Sequence, residues 1–182
     1  MKKNYIYIGI GILVAIILVL SGLFFLLKHP KITYSPIIAS DGSFQINFPS
    51  SITYQMNQKE NNEFILDLYS AKDEMFLYAT KIAKSRQIDL LQFANNDKAN
   101  YQKDKANVRE ASEVISSNVQ NYKVYEYHFV YTDSSYGKDF YSNVVWFETN
   151  SYLYVLNFEV VKENIDKFQD IFLNIKNSFI EL

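Results

Sequence analysis

Few side chains in this sequence could do covalent chemistry. Cysteine is absent, and histidine occurs twice, at His29 and His128. Nucleophilic catalysis needs a nucleophile, a base and a group that orients the base. His128 could be such a base: in the run Tyr122–Thr132 it shares a strand face with Val124, Glu126 and Val130, because alternate strand residues point the same way. A Glu126–His128 pair beside a hydroxyl is the minimum that an envelope hydrolase would need, and a hydrogen-bonded sheet histidine is the simpler assignment. His29 flanks an apolar stretch. The sequence contains no G-x-S-x-G, no H-E-x-x-H and no Gly-rich phosphate loop, so the expectation is a non-enzyme without a cofactor. Asp133–Asp139 offers carboxylates and hydroxyls, but Lys138 stands sixth from Asp133, where a calcium loop needs Gly. It reads as a solvated hairpin loop, with no metal.

Tyrosine is the abundant polar-aromatic type. Of 15 tyrosines, all but Tyr5 and Tyr7 lie beyond residue 27, and Tyr125, Tyr127 and Tyr131 flank Phe129 on one strand face. A ring with a polar handle suits two settings: a groove or partner surface, and a sheet face packed under a helix with hydroxyls at its rim. With Asp133 and Tyr136 in the next loop, these three are the candidate partner-contact residues. Loop Thr132–Lys138 is the most accessible surface. A net charge of −2 with scattered lysines excludes a nucleic-acid binder. A composition 48% hydrophobic and 16% aromatic excludes a disordered chain. Without Cys there is no disulfide, thiolate metal site or lipid-modified Cys. The excess of Lys over Arg and the frequent Asn point to an AT-rich genome, such as that of a low-GC Gram-positive bacterium.

The elements that would carry these residues are uneven in character. Ile6–Leu27 is 22 residues without a charge; as a helix it is roughly 33 Å long, against a hydrocarbon core of about 30 Å. A cleavable signal peptide would have a shorter apolar core and a nearby small-residue cleavage site. Here Lys28, His29 and Pro30 follow directly. The expectation is therefore a signal anchor inserted in the lipid bilayer through residues 6–27, with a cytoplasmic tail of residues 1–5. Lys2 and Lys3 against Lys28 and Lys31 favour a cytoplasmic N-terminus by a small margin. Gly11, Ala15 and Gly22 allow close helix pairing without establishing a homodimer. Residues 28–41, with Pro30 and Pro36, read as a spacer, and 42–182 as one extracytoplasmic domain.

Within that domain Phe44, Ile46 and Phe48 alternate with polar residues, as do the runs Ile52–Gln58, Glu63–Ser70 and Met75–Lys84. Asp89 is placed to cap a helix running to Lys105. Val108–Asn118 is readable as strand or as helix. Three long strands follow, Tyr122–Thr132, Lys138–Thr149 and Tyr152–Val161, with Asn150-Ser151 as a tight turn. If Thr149 opposes Tyr152, Phe147 meets Tyr154, Val145 meets Leu156 and Asn143 meets Phe158, while Trp146 meets Val155 on the other face. Both faces are apolar, so the sheet needs cover on both sides. Ile165, Phe168, Phe172, Ile175 and Phe179 supply one helix stripe, and the segment after Asp89 supplies another. The fold class is α+β, an antiparallel sheet flanked by helices.

An opening strand Phe44–Pro49, a mid-chain helix, aromatic strands around Trp146 and a closing segment Ile175–Phe179 together resemble the PsbP-like α/β/α sandwich superfamily. That group includes the extrinsic photosystem protein, a nuclear-import factor that binds a small GTPase, and many anchored bacterial proteins. The resemblance covers Phe44–Leu182 and implies a binding or assembly module without intrinsic catalysis. It carries over no site residues, and the anchor departs from both named members. The expected function is a membrane-anchored, non-catalytic binding or scaffolding module with an envelope or membrane protein as partner. The alternative is a small-ligand or lipid-binding module with a cleft between sheet and helix.

Overall fold

The computed structural model describes residues 16–19, 32–56, 63–84 and 89–182. The chain divides into two units, Met1–Thr33 and Tyr34–Leu182. In the first, residues 16–19 are helical and exposed. The rest of the apolar span, with tail 1–5 and the small-residue face, lies outside the described residues. Among the described residues no helix is long and apolar enough to cross a membrane.

The second unit runs β1 (Tyr34–Ile38), β2 (Phe44–Pro49), β3 (Gln55–Met56), β4 (Leu66–Ser70), β5 (Met75–Ala83), α1 (Leu90–Asp104), β6 (Ile115–Val119), β7 (Tyr122–Asp133), β8 (Lys138–Glu148), β9 (Tyr152–Val161), a 3-10 turn (Lys162–Asn164), α2 (Ile165–Asn177) and β10 (Ile180–Glu181). The strands form two antiparallel sheets, a seven-stranded one in the order β3-β4-β5-β9-β8-β7-β6 and a three-stranded one in the order β1-β2-β10.

The β8–β9 hairpin has the expected register, with Phe147 opposite Tyr154, Val145 opposite Leu156, Asn143 opposite Phe158 and Trp146 opposite Val155. Thr149 pins its turn: its N–H donates to Tyr152 O at 3.0 Å, and its Oγ1 accepts from the Tyr152 N–H at 3.1 Å. Asp89 caps α1 as expected, its carboxylate accepting from the N–H groups of Leu91 at 3.1 Å and Gln92 at 3.2 Å. One face of the large sheet is covered by α1. The other is covered by α2 and the small sheet, through Phe44, Ile46, Phe48, Phe168, Phe172 and Ile175. Phe179, just past α2, stacks on Phe147 at 4.1 Å and on Phe44 at 5.3 Å.

Four segments differ from the sequence reading. The spacer assigned to 28–41 contains β1, which pairs along β2 from Tyr34↔Pro49 to Ile38↔Gln45. Pro36 is tolerated there because β1 is an edge strand. Asp41-Gly42 is accordingly the turn inside a hairpin rather than the entrance to the domain. Gly42 takes a φ of +71° and the Asp41 carboxylate accepts from the Ser43 N–H at 3.1 Å. The single expected sheet becomes two, because β2 also pairs with the two-residue β10. Ile52–Gln58 shortens to β3, with residues 57–62 outside the described set. Val108–Asn118 resolves into β6 and an isolated Arg109↔Val130 bridge, with positive φ at Asn107 and Glu110 bending the chain between α1 and β6.

Phe179 is fully buried among Phe44, Tyr122, Phe147 and Tyr154. Phe179→Ala is expected to lower stability by about 3–5 kcal/mol. Leu91→Ala, at an exposed position, should stay within about 0.5 kcal/mol. Urea unfolding of the full-length protein in detergent micelles, followed by near-ultraviolet circular dichroism, measures both.

Candidate functional site

The row Tyr125, Tyr127, Phe129 and Tyr131 is buried, not surface-exposed. The apolar side of α1, with Leu90, Phe93, Ala94 and Tyr101, lies over it. Phe93 meets Trp146 edge-on at 5.0 Å, and Tyr101 lies 5.7 Å from Phe129. This corrects the assignment of Tyr125, Tyr127 and Tyr131 as partner contacts, since a ring shut under a helix cannot touch a macromolecule. Asp133 serves its own turn, accepting from the N–H groups of Ser135 at 2.8 Å and Tyr136 at 3.2 Å. Tyr136 is 49% exposed, its ring edge-on to Phe140.

The tyrosine hydroxyls serve an internal polar belt. Tyr127 donates to Asp97 at 2.7 Å, and the Trp146 indole N–H donates to the same oxygen at 3.2 Å. Tyr131 and Tyr78 donate to buried Glu159 at 2.9 and 3.3 Å, and Lys105 lies 3.6 Å from that carboxylate. Ser142 donates to Asn157 at 2.9 Å, whose amide reaches Tyr78 and Tyr101. Burial raises the pKa of Tyr78, Tyr101, Tyr127 and Tyr131, which keeps them protonated as donors. The belt is matched internally and holds α1 to the sheet.

The opposite face is more open. Across it run two cross-strand rows, Ile115–Glu126–Val145–Leu156 and His128–Asn143–Phe158. Helix α2 packs Phe172 onto Phe158 and Tyr141 and leaves Glu126, His128, Tyr141 and Asn143 half-buried. Between them is a cleft of about 190 Å³, floored by Glu126, Tyr141 and Asn143 and walled by Gln169, Phe172, Leu173 and Lys176 of α2. An apolar recess of about 20 Å³ adjoins it, sharing Asn143, Phe172 and Lys176 and lined further by Leu77, Val145, Phe158 and Ile175.

Lys176 pairs with Glu126 at 2.7 Å, and Asn143 Nδ2 donates to the other oxygen of Glu126 at 3.0 Å. Only the amide nitrogen can donate to a carboxylate, so Glu126 turns Asn143 Oδ1 away from itself. That oxygen is buried and has no hydrogen-bond partner among the described residues. A buried acceptor left unpaired costs about 1–3 kcal/mol. The Tyr141 hydroxyl is pushed up to about 12 by burial and by the Glu126 charge, so it remains a donor at neutral pH. His128 stacks on Tyr141 at 5.4 Å, and no hydrogen bond joins it to Glu126 among the described residues. The signal for this site in the chain is Asn143 itself, a polar residue on the inward face between Tyr141 and Val145.

Burial lifts the Asp97 carboxyl above its ordinary value of 3.8, against the two hydrogen bonds that lower it. The folded state therefore holds this proton more tightly than the unfolded one. The resulting stabilisation is complete below 3.8 and is lost as pH rises through the folded value. Asp97→Asn keeps an acceptor for Tyr127 and Trp146 but cannot ionise. Its stability relative to the parent is expected to rise between pH 3.8 and neutrality, as urea midpoints across that range would show.

No protein-family model matches the chain, and no curated protein matches it by sequence. Solved structures do. The solution structure of cyanobacterial PsbP (CyanoP) from Synechocystis sp. PCC 6803 superposes with a TM-score of 0.58 at 6% identity, covering 84% of this chain and 94% of that one. LpqN, described as involved in cell envelope biogenesis of Mycobacterium tuberculosis, superposes with a TM-score of 0.55 at 13% identity, covering 86% of this chain and 94% of that one. At such identities the likeness concerns the fold alone: the domain folds like these structures, as an antiparallel sheet with helices on its faces.

Proposed function

We propose that this protein is a non-catalytic binding module of the cell envelope, tethered to the membrane by residues 6–27 with its domain outside the cytoplasm. The observation that carries the binding role is the α2–sheet cleft with its adjoining apolar recess. The tether rests on the uncharged 22-residue span and its flanking lysines. An envelope setting agrees with a fold shared with a protein of envelope biogenesis. Catalysis has little support in the geometry: Glu126 is engaged by Lys176 and Asn143, and the His128 ring stacks on Tyr141.

The cleft also favours one kind of occupant. Pockets for drug-sized ligands measure about 300–1,000 Å³, so about 190 Å³ suits one ring or one side chain rather than an acyl chain. The lipid-binding reading loses ground to a small polar ligand, or to a group projecting from a larger envelope component.

A photo-crosslinking residue at Leu173, half-exposed on the cleft wall, tests this in native membranes with the full-length protein. Crosslinks to an envelope component are expected from position 173 and not from Leu91, on the other helix. Equal products from both positions would count against the cleft. Protease shaving of intact cells is expected to remove a C-terminal tag; a protected tag would overturn the exported topology.

A further inference from the structure

We propose that the free edge of β6 pairs with β6 of a second copy of this chain, joining the two large sheets across a two-fold axis at Ser117. Strand β6 ends the seven-stranded sheet, and the chain beside it shows which of its backbone groups face outward. Arg109 and Val130 exchange both backbone bonds at 2.8 Å, and the Ser112 N–H donates to His128 O at 2.9 Å. Alternate residues of a strand bond to the same side, and β7 pairs without interruption along β8 from Lys123 to Asp133. Tyr122, Val124 and Glu126 therefore also turn their N–H and C=O groups towards β6. Their partners Val119, Ser117 and Ile115 bond inward. Ser116 and Asn118 are left with backbone N–H and C=O groups directed out of the sheet, and among the described residues nothing bonds those groups.

Strand edges are ordinarily blunted by Pro, by Lys or by brevity. Strand β1 carries Pro36, and β3 and β10 have two residues each. Strand β6 has five residues and none of these devices, and its first four are exposed, Ile115 at 58%. The segment Ile115-Ser-Ser-Asn-Val119 also reads alike in both directions, with β-branched apolar residues at its ends and small polar ones between. Antiparallel pairing about Ser117 sets Ser116 against Asn118 of the second copy as hydrogen-bonded pairs, so the outward groups satisfy one another. Ile115 then lies beside Val119 of the second copy. A slip of one residue would set outward groups against inward ones. No charged residue lies in the paired segment, so the axis brings no like charges together. A strand pair of this length covers less than a standard interface of about 1,600 Å². The pairing therefore belongs to copies concentrated in one membrane, and in this it rests on the tether.

The chain has no Cys, so one introduced thiol reports the contact. Opposed Cα atoms in a non-hydrogen-bonded pair lie about 4.5 Å apart, within disulfide range. Ser117→Cys, in the full-length protein oxidised in native membranes, is expected to give a disulfide-linked homodimer. Leu91→Cys, exposed on α1, and Ser116→Cys, offset diagonally from its own copy, should each give roughly tenfold less. Co-expressing Ser116→Cys with Asn118→Cys should restore the dimer. Ser116→Pro removes an outward N–H without breaking the β6–β7 ladder, and should abolish the dimer formed by Ser117→Cys; the co-expressed pair keeps the test intact if Ser116→Pro fails to fold. No dimer from Ser117→Cys, an equal yield from Leu91→Cys, a yield indifferent to Ser116→Pro, or no dimer from the co-expressed pair would each overturn the pairing. A photo-crosslinking residue at position 117 that captured another protein and no second copy would overturn the homodimer and assign the edge to a strand of that protein. A shaved C-terminal tag alongside no dimer would overturn the pairing while leaving the tether in place.

Discussion

Strand β9 is buried along nine of its ten residues, and this two-sided burial governs the layers around it. A strand pleats its side chains alternately to opposite faces. Leu153, Val155 and Val161 therefore need one cover, while Tyr154, Leu156, Phe158 and Val160 need another. Helix α1 meets the first demand. The second face is shared: the β1–β2 hairpin sits towards β4, β5 and β9, where Asp41 pairs with Lys81 and Phe44 meets Tyr154, and α2 lies across Phe158. Covering runs out towards β7 and β8. The half-buried residues Glu126, His128, Tyr141 and Asn143 are what remains, so the cleft follows from how the second face is divided.

The two faces treat polar groups in opposite ways. Under α1, Asn157 and Glu159 project from β9 into a layer of aromatic and aliphatic side chains. Burying such groups is tolerable only when each finds a partner. The tyrosines provide this, each combining a large apolar ring with a hydroxyl that reaches Asp97, Asn157 or Glu159. A phenylalanine in the same place would fill the volume and strand the acid. Under α2 the corresponding accounting leaves Asn143 Oδ1 over. A matched belt on one side and a buried, unpaired acceptor on the other distinguish the two faces.

Much of this was legible in the chain. The β8–β9 register followed from one turn, because a two-residue loop leaves no freedom in strand pairing. Asp89 announced α1, and the 3.6-residue spacing of Phe168, Phe172 and Ile175 announced α2. What escaped depends on contacts between distant segments. The sequence of β1 carries a proline and sits beside an apolar span, so its pairing with β2 has no local signature. The two-residue β10 is too short for any periodicity. The tyrosine row was ambiguous for a deeper reason: alternation shows that a face is amphipathic, not whether a helix or a partner covers it. Lys176 meets Glu126 across 50 residues, and no local pattern joins them.

That ion pair also explains why the acceptor stays unpaired. Both of its side chains are largely shielded from water, so the pair is screened less than a surface bridge. Without Lys176, Glu126 would be a half-buried carboxylate and would compete for any donor entering the cleft. With Lys176 in place, its charge is balanced and its second oxygen orients Asn143. Neutralising the acid while aiming the amide leaves one uncharged, buried acceptor without a partner among the described residues. The unpaired acceptor is thus a consequence of the Lys176–Glu126–Asn143 relay rather than of any one residue lining the cleft.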